Sequence, residues 1–175
     1  MTLYAEQGFE QTTVAEIAAR AGLTERTFFR HFADKREVLF YGMDIARDLL
    51  TRTVADAPAS ATPMEAIGAA LQALCAVFQE NPERVRLRDA IVSAHAELRE
   101  RELIKLAALA SAVAGALCDR GIPESAASLA AETGAAVFKV AFARWVGEPG
   151  QPDLPGIFRE SMAGLRGVLA DRAPV

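Results

Sequence analysis

Apolar residues recur every three or four positions along almost the whole chain, in segments separated by Gly, Pro or short polar runs. This is the period of α-helices with one buried face, and no segment shows the strict alternation of a half-buried strand. The interruptions fall at Gly8, Gly22, 55–63, 121–123 and 147–153, where Gly and Pro are expected to end one helix and begin the next. The sequence therefore predicts an all-α fold.

The N-terminal third is predicted to hold short helices. Thr13 and Glu16 have the spacing of a capping box that starts one helix, and Gly22 suits the turn that ends it. The next predicted helix is Thr24–Phe32. Phe28 and Phe32 lie four residues apart on one face of this helix, so polar and Arg side chains are left for the opposite face. A helix of this kind fits a DNA major groove, although an ordinary helical hairpin with solvated arginines has the same spacing.

Longer helices follow in the rest of the chain. The spacing predicts one helix from Asp34 to about Thr53, and a Pro/Ser/Ala-rich connector over 55–63 separates it from a helix that starts at Pro63. Small residues interrupt the apolar stripes of the last two helices, which favours close helix packing. Further helices are expected to start at Asn81-Pro82 and to run over about 96–120, 124–146 and 154–171.

Charge and composition narrow the function classes. The 175 residues are 51% hydrophobic and 7% aromatic, with a net charge of −4. Residues 1–36 hold five basic and five acidic side chains, so any contact with nucleic acid must come from a local patch and not from the field of the whole molecule.

Cysteines and hydropathy indicate a cytoplasmic protein. Cys75 and Cys118 lie far apart without a CxxC partner, which favours two reduced, buried thiols. No run of 18 apolar residues and no basic stretch after Met1 is present, so neither a membrane span nor a signal peptide is expected.

Catalytic and metal-binding motifs are missing from the sequence. It has no GxSxG, Walker-type or GxGxxG string, and His95-Ala96-Glu97 lacks the P-C-x-x-C of a zinc deaminase. An accidental pairing of Cys75 with His95 is the remaining enzymatic alternative. We expect no enzyme, no catalytic residue, no cofactor and no metal.

The N-terminal third also contains a dense string of family-like positions, GFEQTTVAEIAARAGLTERTFFRHFADKREVLF, from Gly8 to Phe40. This string resembles the DNA-binding domain of the TetR/AcrR family of bacterial transcription regulators. The resemblance implies a three-helix helix-turn-helix domain over 1–40, joined to a helical ligand-binding and dimerisation domain over 41–175. It also implies a homodimer that binds a pseudo-palindromic DNA operator, responds to a small-molecule effector, and acts as a repressor.

The resemblance assigns the DNA contacts by position. An Arg is suited to guanine, a Thr to a thymine methyl or a phosphate, and a Lys at a helix start to a phosphate. The alternative to a DNA contact by His31 is that this surface residue only packs against its neighbours. The implied contact residues are Thr13, Thr24, Arg26, Thr27, Phe29, Arg30, His31 and Lys35.

Two departures from the family pattern affect the expected DNA affinity. The family usually has Tyr where this chain has Phe29, which cannot donate a hydrogen bond to phosphate. The family's first helix usually also begins further upstream than Met1. A TetR-like ligand-binding or scaffold protein with weakened or lost DNA binding is therefore the alternative function.

The predicted second domain carries two further candidate sites. An effector pocket between helices is expected, in which Arg88 and His95 are the groups able to orient a carboxylate; for each lining residue, core packing is the alternative. Its candidates are Leu74, Cys75, Phe78, Arg88, His95, Phe138, Phe142 and Trp145. The last two helices are expected to form a four-helix dimer interface through Leu129, Thr133, Val137, Val140, Phe158, Met162, Leu165 and Leu169.

Overall fold

A computed structural model of the protein describes residues 1–150 and 152–170. This part of the chain contains ten α-helices and no β-strand, which confirms the predicted all-α fold. The predicted end of the last helix, Asp171, lies outside the described residues. The helices are α1 (Thr2–Gln7), α2 (Val14–Arg20), α3 (Glu25–His31), α4 (Glu37–Phe40), α5 (Gly42–Ala55), α6 (Pro63–Glu80), α7 (Pro82–Ala94), α8 (Ala96–Asp119), α9 (Glu124–Gly147) and α10 (Leu154–Ala170).

The predicted helix from Asp34 to Thr53 is divided in two. Its first turn begins later because the Asp34 carboxylate accepts the backbone N–H groups of Arg36 and Glu37, at 2.8 and 3.1 Å. A short α4 then ends at Tyr41, and α5 continues from Gly42. Tyr41 keeps helical dihedral angles, φ −54° and ψ −33°, so the interruption is small.

Packing divides the chain into two compact units. The first unit comprises Met1–Asp44 and Glu83–Lys105. Its core consists of Tyr4, Phe9, Leu39, Phe40, Ile91, Val92 and Leu98. The predicted domain boundary near residue 40 stays a prediction.

Ion pairs hold α4 of the first unit to the beginning of α8. Arg101 contacts the carboxylates of Asp34 and Glu37 at 3.1 and 2.8 Å. Lys105 also contacts Glu37, at 3.0 Å. These side chains are largely shielded from solvent, so their interaction is screened less than that of an exposed surface pair.

The second unit comprises Ile45–Pro82 and the described residues from Leu106 onward. Its centre is the packing of α6, α9 and α10, where Trp145 and Phe158 are buried. Arg120, after α8, donates hydrogen bonds to the carbonyl groups of Val54 (3.1 Å) and Ala57 (2.6 Å) at the end of α5. Arg120 therefore donates to carbonyl groups in the last turn of α5 and just beyond it, where helical partners run out.

Candidate nucleic-acid interface

The helices α2 and α3 form a helix-turn-helix pair whose turn is set by local residues. The capping box predicted for Thr13 and Glu16 is present, and Thr24 caps α3 by accepting the N–H of Thr27 at 3.2 Å. Gly22 has a φ of 67°, a left-handed conformation that favours glycine. The predicted start and stop signals of this pair are confirmed.

One side of α3 anchors it in the first unit. Phe28 is buried, and its ring lies 5.1 Å from that of Phe32, which in turn lies 5.6 Å from Tyr41. Rings at such distances pack favourably in an edge or offset manner. The aromatic contacts therefore fix the direction in which the opposite side of α3 points.

The opposite side of α3 faces solvent and carries most of the predicted DNA contacts. Thr24, Arg26, Arg30 and His31 are exposed, Thr27 is partly buried, and the ring of Phe29 is 54% exposed. Sequence reasoning did not include Leu23, which is also exposed. Its place between the glycine turn and the cap of α3 was the available signal. The structure thus leaves most of these predicted contacts accessible to solvent.

The arginines of α3 differ from Arg20 and Arg36, the nearest arginines before and after them in the sequence. Among residues 1–150 and 152–170, neither Arg26 nor Arg30 has an ion-pair or hydrogen-bond partner. By contrast, Arg20 pairs with Glu6 at 2.7 Å and Arg36 pairs with Glu97 at 2.8 Å. The α3 guanidinium groups can therefore bind an external acceptor without breaking an internal pair.

Thr13 acts as a cap in the structure. Its N–H and its hydroxyl group both donate to the Glu16 carboxylate, at 2.8 and 2.9 Å. These two hydrogen bonds, the backbone one first, hold the pKa of Glu16 below its usual value. A phosphate contact by Thr13 stays a prediction, and the hydroxyl proton it would use already has an acceptor.

The prediction that Lys35 binds a phosphate conflicts with its surroundings. Its ammonium group donates to the carbonyl oxygens of Phe9, Glu10 and Thr12, at 2.9, 3.0 and 3.1 Å. An ammonium group has three N–H donors and no others. All three are used inside the first unit, so none is left for DNA in this conformation.

The predicted effector-pocket residues divide between the two units. Leu74, Cys75 and Trp145 are buried in the second unit, and the ring of Phe138 lies 6.0 Å from Phe78 and 5.9 Å from Phe142. The Trp145 indole N–H already donates to the carbonyl oxygen of Pro152 at 2.9 Å. The rings of Phe78, Phe138, Phe142 and Trp145 form one continuous aromatic cluster.

The two polar pocket candidates are not part of this cluster. Arg88 belongs to the first unit, where it donates to the Leu39 carbonyl oxygen at 3.2 Å, pairs with Glu102 and lies over the Phe40 ring. His95 belongs to the same unit, with its Nδ1 2.7 Å from the Ile91 carbonyl oxygen and its ring 5.0 Å from that of Phe9. Both therefore have structural partners within the first unit, and their role as ligand-orienting groups stays a prediction.

The two cysteines should differ strongly in reactivity. Both are free thiols, but Cys75 is buried whereas Cys118 is only partly so. Burial raises the pKa of Cys75 to about 12, which leaves about one thiolate in ten thousand molecules at pH 8. We expect iodoacetamide to label Cys118 at pH 8 and to label Cys75 only after unfolding, as measured by peptide mass spectrometry. Rapid labelling of Cys75 in the native protein would contradict this.

The predicted dimer residues also separate into two groups. Leu129 and Val140 on α9 and Leu169 on α10 are 70%, 64% and 77% exposed, an unusual state for large apolar side chains along two neighbouring helices. Thr133, Met162 and Leu165 are partly exposed. Val137 and Phe158, by contrast, are buried within the protomer. These two are corrected from interface residues to core residues, because a buried side chain offers no surface to a partner.

The helix α9 is long and contains an apolar stretch. Over an 18-residue window its mean hydropathy is 1.3, enough for a membrane span by length and composition alone, and a third of that window is buried. One side of α9 packs on α6 and α10, and Glu132 and Lys139 occupy its exposed surface. Core packing on one side and apolar exposure on another account for this hydropathy.

Comparison with known proteins places the N-terminal residues in a family. Residues 1–41 match the family described as bacterial regulatory proteins, tetR family. A 74-residue segment is 35% identical to the HTH-type transcriptional regulator TcmR of Streptomyces glaucescens, covering 42% of this chain and 33% of that protein. The match thus spans about a third of the length of this curated relative.

Solved structures share the fold of the whole chain. FadR of Thermus thermophilus, a TetR-family transcriptional repressor solved in complex with lauroyl-CoA, has a TM-score of 0.63 and 22% identity, with 100% of this chain and 94% of FadR covered. A regulator of the TetR/AcrR type from Aquifex aeolicus has a TM-score of 0.54 and 18% identity, with 95% and 93% covered. These likenesses show the fold, and they agree with a helix-turn-helix domain followed by a helical domain.

Proposed function

We propose that the chain is a regulator of the TetR family, whose family model its residues 1–41 match, and that it is a homodimeric, effector-responsive repressor that binds a pseudo-palindromic operator. Because the matched N-terminal residues and the curated relative both belong to DNA-binding regulators, the proposal includes no enzymatic activity. We place the protein in the cytoplasm, where its DNA is. The alternative, a TetR-like scaffold without DNA binding, is tested by the same experiments.

The solvent-facing side of α3 is the observation that carries the DNA-binding proposal. It combines two arginines without internal partners with small polar residues and the exposed rings of Phe29 and His31. A bidentate Arg reads guanine, and apolar groups contact the thymine methyl. Since the chain as a whole is acidic, this local surface must supply the affinity. Lys35 is left out of the proposed contact set.

Replacing Arg30 by Ala tests whether the solvent-facing side of α3 contacts the operator bases. We expect the affinity for DNA from upstream of the gene to fall by about 1–3 kcal/mol, and discrimination against unrelated DNA to weaken, as for the loss of one base-contacting Arg. Fluorescence anisotropy at several salt concentrations measures both quantities. Arg159, an exposed Arg of α10, provides the matched control, since Arg159→Ala should bind like the wild type.

Two results would count against this assignment. Unchanged affinity in both Arg26→Ala and Arg30→Ala would mean that α3 does not read the operator. Failure of the wild type to bind any upstream fragment would favour the scaffold alternative.

The exposed apolar residues of α9 and α10 support the dimer proposal. Leu129, Val140, Val168 and Leu169 would be buried if these helices packed against the same pair of a second copy. A two-fold dimer presents two copies of α3 to half-sites about 34–36 Å apart, or a multiple of that distance. This is why we propose a pseudo-palindromic operator.

An apolar effector suits the second unit. Its interior offers the aromatic cluster around Phe138, whereas the charged candidates Arg88 and His95 have partners in the first unit. FadR was solved in complex with lauroyl-CoA, which makes acyl compounds reasonable first probes. An effector changes operator affinity only through its different affinities for two conformations, by about 5–150-fold in typical cases.

A further inference from the structure

We propose that Lys35 is a positioning residue of the DNA-binding helices: it fixes the loop Phe9–Thr12 ahead of α2 and does not itself bind DNA. The proposal rests on the proposed function, because it concerns how α2 and α3 are held for operator binding. The sequence predicts that Lys35 contacts a DNA phosphate, whereas this proposal assigns its ammonium group a role inside the first unit.

The first step of the argument is the convergence of three carbonyl groups on one ammonium group. Phe9, Glu10 and Thr12 present their carbonyl oxygens to the Lys35 Nζ within 3.1 Å. Hydrogen bonds with a charged donor are stronger than those between neutral groups. Lys35 is separated from this loop by more than 20 residues in sequence, so it joins two distant segments of the first unit.

Other contacts hold Lys35 itself in place. Its backbone carbonyl oxygen accepts a hydrogen bond from the Tyr4 hydroxyl group at 2.6 Å. Its ammonium group also lies 4.7 Å from the centre of the Phe9 ring, a cation–π distance. The Phe9 ring packs in turn against Tyr4 and His95. The backbone carbonyl group and the ammonium group of Lys35 are therefore both engaged within the first unit.

The loop that Lys35 holds leads directly into α2. Thr12 is buried, and its hydroxyl group donates to the Gly8 carbonyl oxygen at 2.7 Å. The next residue, Thr13, caps α2, which packs against α3. If Lys35 released the loop Phe9–Thr12, its hydrogen bonds would no longer fix the backbone that leads into α2. We infer that the orientation of the α2–α3 pair depends on Lys35.

A charge-conserving replacement separates positioning from phosphate binding. Arg binds phosphate at least as well as Lys, but its planar guanidinium group cannot direct three donors at three carbonyls that converge on one point. If Lys35 positions the loop, Lys35→Arg should weaken operator binding about tenfold with an unchanged slope of log affinity against log salt. If Lys35 binds a phosphate, Lys35→Arg should bind as tightly as the wild type, and that result would overturn the proposal.

Two further variants complete the binding experiment. Lys139→Arg, at an exposed site of the second unit, is the matched control and should bind like the wild type. Lys35→Met keeps the stem and removes the charge. It should weaken binding without changing the salt slope, whereas loss of one phosphate contact would lower the slope by about 0.9.

The wild-type protein offers a test that does not depend on folding of a variant. The chain contains three lysines, Lys35, Lys105 and Lys139, so acetylation by acetyl N-hydroxysuccinimide can be followed at each by mass spectrometry. We expect Lys35 to react about tenfold or more slowly than Lys139 without DNA, and the rate to stay the same when the operator is added. A fast reaction of Lys35 in the free protein and its protection by DNA would overturn the proposal.

These outcomes distinguish the two proposals. Failure of the proposed function appears as a wild type that binds no operator, while the acetylation of Lys35 in the free protein can still be measured. Failure of the positioning role appears as tight operator binding by the wild type and by Lys35→Arg alike.

Discussion

Replacing Val137 by Arg should unfold the second unit, whereas the same replacement at Val140 should leave the protomer folded and dissociate the dimer. The two residues lie on one helix, three positions apart, but Val137 is 8% exposed and Val140 is 64% exposed. The inner face of α9, which packs on α6 and α10, contains Val137. The expected difference therefore arises from the side of the helix and not from the chemical change.

The cost of Val137→Arg comes from an unpaired charge in an apolar interior. Such a group has an effective penalty of several kcal/mol, which is comparable to the whole free energy of unfolding of a typical domain, about 5–15 kcal/mol. Val140→Arg adds a solvated charge to the protomer and costs it little. In the proposed dimer the same charge would be buried against a second copy.

Sedimentation velocity and circular dichroism measure the two effects. We expect Val137→Arg to lose helical signal or the cooperative thermal transition, and Val140→Arg to keep both while sedimenting as a monomer at micromolar concentration. Ala135→Arg is the control, since Ala135 is exposed on the flank of α9 that also carries Lys139; it should remain a folded dimer. A wild type that sediments as a monomer would contradict the dimer proposal, and a folded Val137→Arg would contradict the assignment of Val137 to the core.

The helix period alone could not separate these two valines. Nearly all positions of α9 are apolar or small, so both its faces satisfy a pattern of apolar residues every three or four positions. The period predicts that a helix has a buried stripe, but in such a helix it does not indicate which stripe packs within the protomer. The packing of α6 and α10 decides that, and it depends on distant parts of the chain.

For the same reason, structural features that depend on neighbouring residues were predicted better than contacts between distant parts of the chain. The caps at Thr13 and Thr24 and the turn at Gly22 depend on residues within a few positions, and all were found as expected. The surroundings of Lys35 involve a loop more than 20 residues away, and no local pattern reports them. Similarly, the sequence placed His95 in an effector pocket because it could not show that Phe9 packs against it.

Replacing Gly134 by Ala should destabilise the second unit, although the same change at Gly115 should stabilise the protein. Both glycines lie inside long helices, where Ala is favoured over Gly by about 0.8–1 kcal/mol. A Cβ atom at Gly115 would meet no atom within 4 Å, so only this gain applies. At Gly134, it would clash with Cγ2 of Ile67 and lie 3.2 Å from Cδ1 of Leu71.

The clash at Gly134 cannot be relieved by a small side-chain rotation. Ile67 is β-branched and lies in α6, where its χ1 angle is nearly fixed, so α6 and α9 must move apart or Ile67 must leave its preferred rotamer. Overpacking of this kind costs about 1–3 kcal/mol. Thermal unfolding at one protein concentration should therefore give a melting temperature below that of the wild type for Gly134→Ala and above it for Gly115→Ala, by about 2–4 °C for each kcal/mol. Equal shifts of the same sign would mean that helix propensity dominates at both sites and that α9 does not depend on Gly134 for its close approach to α6.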